Sequence, residues 1–169
     1  MCTNAIAIFD SLKVKGTVKF HQCEKQNETI ITFDLYGMIP NKIRACHIHE
    51  YGDESQGCTS LGSHWNPYGS NHGYICLSMG KNKPNKCSPY QSHAGDLLNN
   101  ISINRKGSFS YSYTDPRVQL RGDISDSIIG RSVVIHDGID DLGLGGNPES
   151  LKTGNAGGRM ACAIIGHSK

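Results

Sequence analysis

Eight short runs with strand character, bounded by turn residues and without a convincing helical repeat among them, most constrain the fold of this 169-residue chain. NAIAIFD (4–10), VKGTVKFHQ (14–22), ETIITFDLYG (28–37) and NKIRACHIHE (41–50) form a first group. DLLNNISIN (96–104), FSYSYTD (109–115), RSVVIHD (131–137) and MACAIIGH (160–167) form a second. Each carries β-branched or aromatic residues and is flanked by Gly, Pro, Asn or Asp, which interrupt strands. TIITFDLY and FSYSYTD show the alternation of a half-buried strand. The pattern predicts an all-β fold, an antiparallel sandwich or barrel.

The length suits one domain spanning 1–169, able to bury roughly 70% of the surface its unfolded chain exposes. No apolar window approaches the roughly 20 residues needed to span a bilayer. The N-terminal MCTNAIAIFDSLKVKG lacks the basic flank, apolar core and cleavage site of a secretory signal, so a cytoplasmic protein without a membrane partner is expected. A formal net charge of +2 and the absence of a basic block argue against nucleic acid. Seven cysteines (2, 23, 46, 58, 76, 87 and 162) sit oddly with a reducing compartment. Either most are free buried thiols or the protein departs from the compartment rule. No CxxC pair supports a zinc ribbon or a thioredoxin-like site.

Two irregular stretches, about 51–95 and about 138–159, interrupt the strands. Loops this long usually carry function or are disordered, and here they concentrate histidine, cysteine and glycine. The stretch ACHIHEYGD (45–53) gives the first chemical signal. Residues two apart on a strand share a face, so His47 and His49 point one way and Cys46 and Ile48 the other. An isolated pair of this kind can be a surface accident. In this chain His136 ends another strand, and His64, His72 and His93 lie in the first loop with Asp96 three residues on. Imidazole suits copper and zinc, and a carboxylate can complete a zinc site. Six histidines and one aspartate can serve two metals if one histidine bridges them.

GCTSLGSHWNP, SHAGDL, IIGRSVVIHD, DDLGLGGNPES and TGNAGGRMACAIIGH, with ACHIHEYGD before them, resemble in order the signature segments of the copper/zinc superoxide dismutases. The resemblance covers essentially the whole chain. It implies an eight-stranded antiparallel Greek-key β-barrel or sandwich with a zinc and disulfide loop (about 51–95) and an electrostatic loop (about 138–159). It implies copper held by His47, His49, His64 and His136, and zinc held by His64, His72, His93 and Asp96. His64 is then the bridging imidazolate and a catalytic residue, and Asp140 the outer carboxylate joining a copper histidine to a zinc histidine. The implied reaction converts two superoxide anions to dioxygen and hydrogen peroxide.

The same resemblance makes Arg159 the catalytic guanidinium beside copper, with Thr153, Glu149 and Lys152 along the channel. Pro148 and Gly138 depart from it, standing where an acid and a lysine are common, which alters the expected salt dependence. Cys58 and Cys162 match the family disulfide, and Cys46 a core position. Tyr51, Gly52, Ile129, Gly130, Ile164 and Gly166 match an apolar homodimer contact. The segment 73–92 is longer than usual; its Cys76 and Cys87 form either an extra disulfide or two free thiols. His21 and His167 match no ligand position, and Cys2 and Cys23 carry no functional signal. Copper-delivery or metal-sequestering relatives, and zinc-only sandwiches, are the rival readings. Such proteins typically lack a copper histidine, the arginine or part of the channel segment, all of which are present here.

Overall fold

The computed structural model describes residues 1–25, 27–74 and 91–169. Strands β1 (Cys2–Asp10), β2 (Lys15–Cys23) and β3 (Thr29–Tyr36) form a meander of consecutive antiparallel hairpins. The chain then crosses to β4 (Ile43–His49), runs through β5 (Ser55–Cys58) and a 3-10 turn (Ala94–Asp96), and continues as β6 (Asn99–Ser102). It returns as β7 (Phe109–Asp115) beside β3, then adds β8 (Ser132–His136), a one-turn helix α1 (Ser150–Thr153) and β9 (Arg159–Ser168). Eight strands pair antiparallel in the order β6-β4-β8-β9-β1-β2-β3-β7, with β9 joining β8 on one side to β1 on the other.

The order follows from the alternation. Val18, Phe20, Ile31, Phe33 and Leu35 turn inward from β2 and β3, and Cys46, Ile48, Val133, Ile135 and Ile165 meet them from the other half. Each fully buried side chain of this size contributes about 1.5–3 kcal/mol, so a one-residue slip that turned a strand inside out would be strongly disfavoured. Cys46 is the free cysteine of the described residues, and burial pushes its thiol up to about 12.

The eight sheet strands are the eight runs read from the sequence, with shifted ends. The run 96–104 yields only Asn99–Ser102, because Leu97 and Asn99 adopt left-handed backbone with φ of 43° and 58°. β1 begins at Cys2 and so faces Cys23 directly. The short β5 and α1 lie inside the stretches expected to be irregular.

Candidate metal centre

β4 and β8 supply the base of the site. Their pairing sets His47 against Val134 and His49 against Ser132. The β8–β9 ladder slips between Ile135 and His136, so that His136 pairs with Arg159. Bulges of this kind re-aim a side chain. The first loop is laced onto β4 by backbone bonds: Trp65 N–H donates to Ile48 O at 2.8 Å, and Gly95 N–H donates to Trp65 O at 2.9 Å. A Cβ on Gly95 would stand 2.5 Å from Ile48 O, so only glycine permits this approach. The lacing carries His64, His93 and Asp96 over His47 and His49.

The hydrogen bonds fix which nitrogen of each ring is free. His49 Nδ1–H donates to Gly62 O at 3.0 Å, and His136 Nδ1–H donates to Gly157 O at 3.2 Å. Their Nε2 atoms therefore carry lone pairs, and these face each other at 3.4 Å. His47 Nε2–H donates to Asp140 Oδ2 at 2.7 Å, leaving Nδ1 as its free nitrogen. His47 Nδ1 and His64 Nε2 are buried without a hydrogen-bond partner. Ligand atoms of His47, His49, His64 and His136 all lie within 4.8 Å of one another. Converging lone pairs with no donor between them are repulsive until a cation fills the space.

A second pocket adjoins the first through His64. Its Nδ1 lies 3.2 Å from Asp96 Oδ1, which also receives His72 Nδ1 at 2.9 Å. His93 Nδ1 is 3.4 Å from the same oxygen and has no hydrogen bond of its own. Asp96 Oδ2 is steadied by the His93 backbone N–H at 3.0 Å. Asp140 then spans the two pockets, taking His47 Nε2 on Oδ2 and His72 Nε2 on Oδ1 at 2.8 Å, with Asn99 Nδ2 donating to it at 3.0 Å. Gly154, at φ +63°, lets the second loop pass above: a Cβ there would meet Asp140 Oδ1 at 2.3 Å.

Burial divides the two pockets electrostatically. It lowers His47 to about 3, His49 to about 2 and His136 to about 4, with neighbouring rings and Arg159 adding to the effect for His49 and His136. His64 is lowered for the same first reason. Burial also works against protonation of His72, but Asp140 and Asp96 outweigh it and raise that ring to about 9. Neutral imidazoles and a carboxylate held well below its usual range, in spite of burial, by His64, His72 and His93 are a donor set for divalent metals. The residues fit a copper and a zinc ion.

The remaining site residues line one cleft. His49, His64 and His136 form its floor, and Arg159, Thr153, Lys152 and Glu149 stand around it. Arg159 donates to the carbonyls of Cys58 and Gly62, so Gly62 O serves both the guanidinium and His49. Cys58 and Cys162 are disulfide-bonded with Cα atoms 5.8 Å apart, which fastens β5 to β9 beneath Arg159. Cys76 and Cys87 lie outside the described residues, so the choice between an extra disulfide and two free thiols lies there too.

Three features escaped the sequence. Arg117 is fully buried and donates to Asp115, Ser92 Oγ, His93 O and Leu97 O, tying the loop that bears His93 and Asp96 to the end of β7. The Asp-Pro-Arg at 115–117 was its only trace. Asn99 Nδ2 donates to the Asp140 carboxylate, and the Asn100 side chain grips the Asp140 backbone, its Oδ1 accepting from the N–H and its Nδ2 donating to the carbonyl. Cys2 and Cys23 form a disulfide, which counting register outward from the 10–15 turn would have found. With Cys58–Cys162, it leaves only Cys46 free among the described residues, so of the two alternatives for the cysteines, mostly free thiols is not the one found there. His21 is half-buried and engaged, whereas His167 is exposed.

Comparison with known proteins follows the same line. The sequence profile of the copper/zinc superoxide dismutases (SODC) matches residues 14–165. The copper/zinc superoxide dismutase of Neurospora crassa is 47% identical over 156 residues, covering 92% of both chains. That of Paramecium bursaria Chlorella virus 1 is 44% identical over 166 residues, covering 98% of this chain and 79% of its own. A crystal structure of the clock protein EA4 superposes with a TM-score of 0.81 at 36% identity, over 96% of this chain and 93% of that one. With its profile match spanning nearly all of the sheet, and a histidine cluster built for two ions, the chain belongs to the copper/zinc superoxide dismutase family.

Proposed function

We propose that this chain, read as one domain over 1–169, is a superoxide dismutase. In this reading copper is held by His47, His49, His64 and His136, and zinc by His64, His72, His93 and Asp96. The observation that carries it is His64, whose Nε2 faces the four-histidine pocket without a partner while its Nδ1 faces Asp96. Copper, when bound, supplies the one-electron couple that oxidises one superoxide to dioxygen and reduces the next to hydrogen peroxide. Arg159 binds and orients the anion at the cleft floor, and Thr153 restricts the opening to small species. His64 Nε2 is the atom that holds a proton for the peroxide product. Asp140 keeps the His47 and His72 rings in register by accepting from both. Adding copper and zinc to the metal-free protein is expected to restore superoxide consumption in proportion to copper, with zinc alone restoring none. Full copper content without activity would instead favour a metal-delivery or sequestering protein.

Two expectations follow for the cleft and the pockets. A fixed cation at a narrow mouth focuses the field and speeds encounter. Arg159→Gln should lower the second-order rate by about tenfold or more while metal content stays near the parent's, and the parent rate should fall as ionic strength rises. For the metals, protons compete where the free ring binds them well. His72, raised to about 9, is protonated at neutral pH in the metal-free chain, whereas His47, His49 and His136 stay neutral down to about 4. On acidification zinc should therefore leave at a higher pH than copper, and zinc uptake near pH 7 should release a proton. Metal analysis after dialysis along a pH series checks the order; copper leaving first would contradict it.

Homodimerisation through Tyr51, Gly52, Ile129, Gly130, Ile164 and Gly166 belongs to the same reading. Tyr51 and Ile164 are exposed, and Ile164 and Gly166 share a surface hollow with Ile6 and Ile8. A cytoplasmic location is part of it too; among the described residues no helix is long and apolar enough to cross a membrane.

A further inference from the structure

The β1–β2 ribbon carries a second convergence of metal-binding side chains, sharing no residue with the histidine cluster. Its register sets Cys2 opposite Cys23 and Asn4 opposite His21. Side chains two apart on a strand share a face, and directly opposed residues share it too, so these four form one square. The face is accessible: Cys2 is exposed, and His21 and Cys23 are half-buried. Ala5 and Phe20, on the opposite face, enter the core.

Within the square the chemistry is already oriented. Cys2 and Cys23 are joined as a disulfide. His21 Nδ1–H donates to Asn4 Oδ1 at 2.7 Å, which leaves a lone pair on Nε2. That Nε2 lies 3.2 Å from Cys23 Sγ. An imidazole whose outer nitrogen is pinned by an oxygen acceptor has the tautomer and orientation typical of a metal ligand. Donor atoms of Cys2, His21 and Cys23 all lie within 4.8 Å of one another.

We propose that this face is a redox-gated site for a monovalent copper ion, bound by Cys2, Cys23 and His21 once their disulfide is reduced. Two thiolates and an imidazole are a soft donor set, which favours Cu(I) over hard cations. A cellular thiol reductant opens the site: it supplies two electrons and two protons, Cys2 and Cys23 become thiols, and the reductant's sulfurs end as a disulfide. Cu(I) then displaces the thiol protons. A small-molecule disulfide reverses the step: it accepts two electrons from the Cys2 and Cys23 thiolates and two protons from solvent, ends as two thiols, and the re-formed Cys2–Cys23 bond releases the Cu(I) and closes the site. Neither step depends on the dismutase reading.

The test uses the full chain with copper and zinc already loaded, before and after anaerobic phosphine reduction and removal of the reductant. Cu(I) is titrated against a chromophoric chelator. The reduced protein is expected to take up one more Cu(I) than the oxidised one. Cys23→Ser should abolish that increment and His21→Ala should weaken it at least about tenfold, both with the parent's superoxide activity. No increment on reduction would overturn the proposal. So would an increment unchanged in both variants, which would assign the copper to other thiols. A Cys2–Cys23 bond that survives reduction, by peptide mass, would make it a structural disulfide only.

Discussion

Arg117→Met is expected to destabilise the metal-free chain by about 3–5 kcal/mol, the usual penalty for stripping the partner from a buried charge. The guanidinium and the Asp115 carboxylate are both fully inaccessible, and they meet through two bonds, Nε to Oδ1 at 2.9 Å and Nη2 to Oδ2 at 2.6 Å. Removing the arginine leaves that carboxylate uncompensated and takes donors from Ser92 Oγ, His93 O and Leu97 O. Leu97 is a bulky residue at φ 43°, a backbone state that persists only where its surroundings enforce it. The loss should therefore reach the neighbouring ligands His93 and Asp96 and weaken zinc binding by about 10–100-fold. The double variant Asp115→Leu/Arg117→Met should recover much of the stability, because no charge is left buried, but not the zinc affinity. Urea unfolding and zinc competition on the three proteins separate the two effects. A change under about 1 kcal/mol in Arg117→Met would show that the pair is not the clamp described here.

The second large effect is expected from Cys58→Ser/Cys162→Ser. The bond closes a sequence separation of 104 residues. In the chain-entropy model a loop of about that length contributes roughly 4.7 kcal/mol, which for a chain of this size lowers the melting temperature by about 10–20 °C. Removing the Cys2–Cys23 bond, with a separation of 21, should cost only about 3 kcal/mol. The longer bond also matters to the cleft, because the Cys58 carbonyl accepts from Arg159 Nη1 at 2.6 Å. Loss of anchorage there should slow superoxide consumption even at temperatures where the variant remains folded. Calorimetry of the two double variants checks the order; equal shifts would contradict it.

What could be read from the sequence divides along physical lines. Alternation along β3 and β7 reported strands because burial of one face repeats every second residue. The same rule put His47 and His49 on the side opposite Cys46 and Ile48 before any contact was known. Arg117 was invisible because nothing in its neighbours announces that a strand end, a loop carbonyl and a carboxylate converge on one guanidinium. Asn99 and Asn100 stood in the sequence only as part of the strand run 96–104, yet they grip Asp140, with a left-handed backbone at Asn99 that local composition does not specify. Cys2 and Cys23 required a register, not a motif. Short β5 and α1 were missed because four residues carry too little periodicity to register.

The most direct test of the shared-histidine centre is anomalous diffraction from crystals of the metal-loaded protein, recorded at the copper and zinc absorption edges. A copper peak among His47 Nδ1 and the Nε2 atoms of His49, His64 and His136 is expected, with a zinc peak beside His72, His93 and Asp96 and the His64 ring between the two. A single metal bound without His64, or two metals on the same side of that ring, would contradict the two-pocket centre.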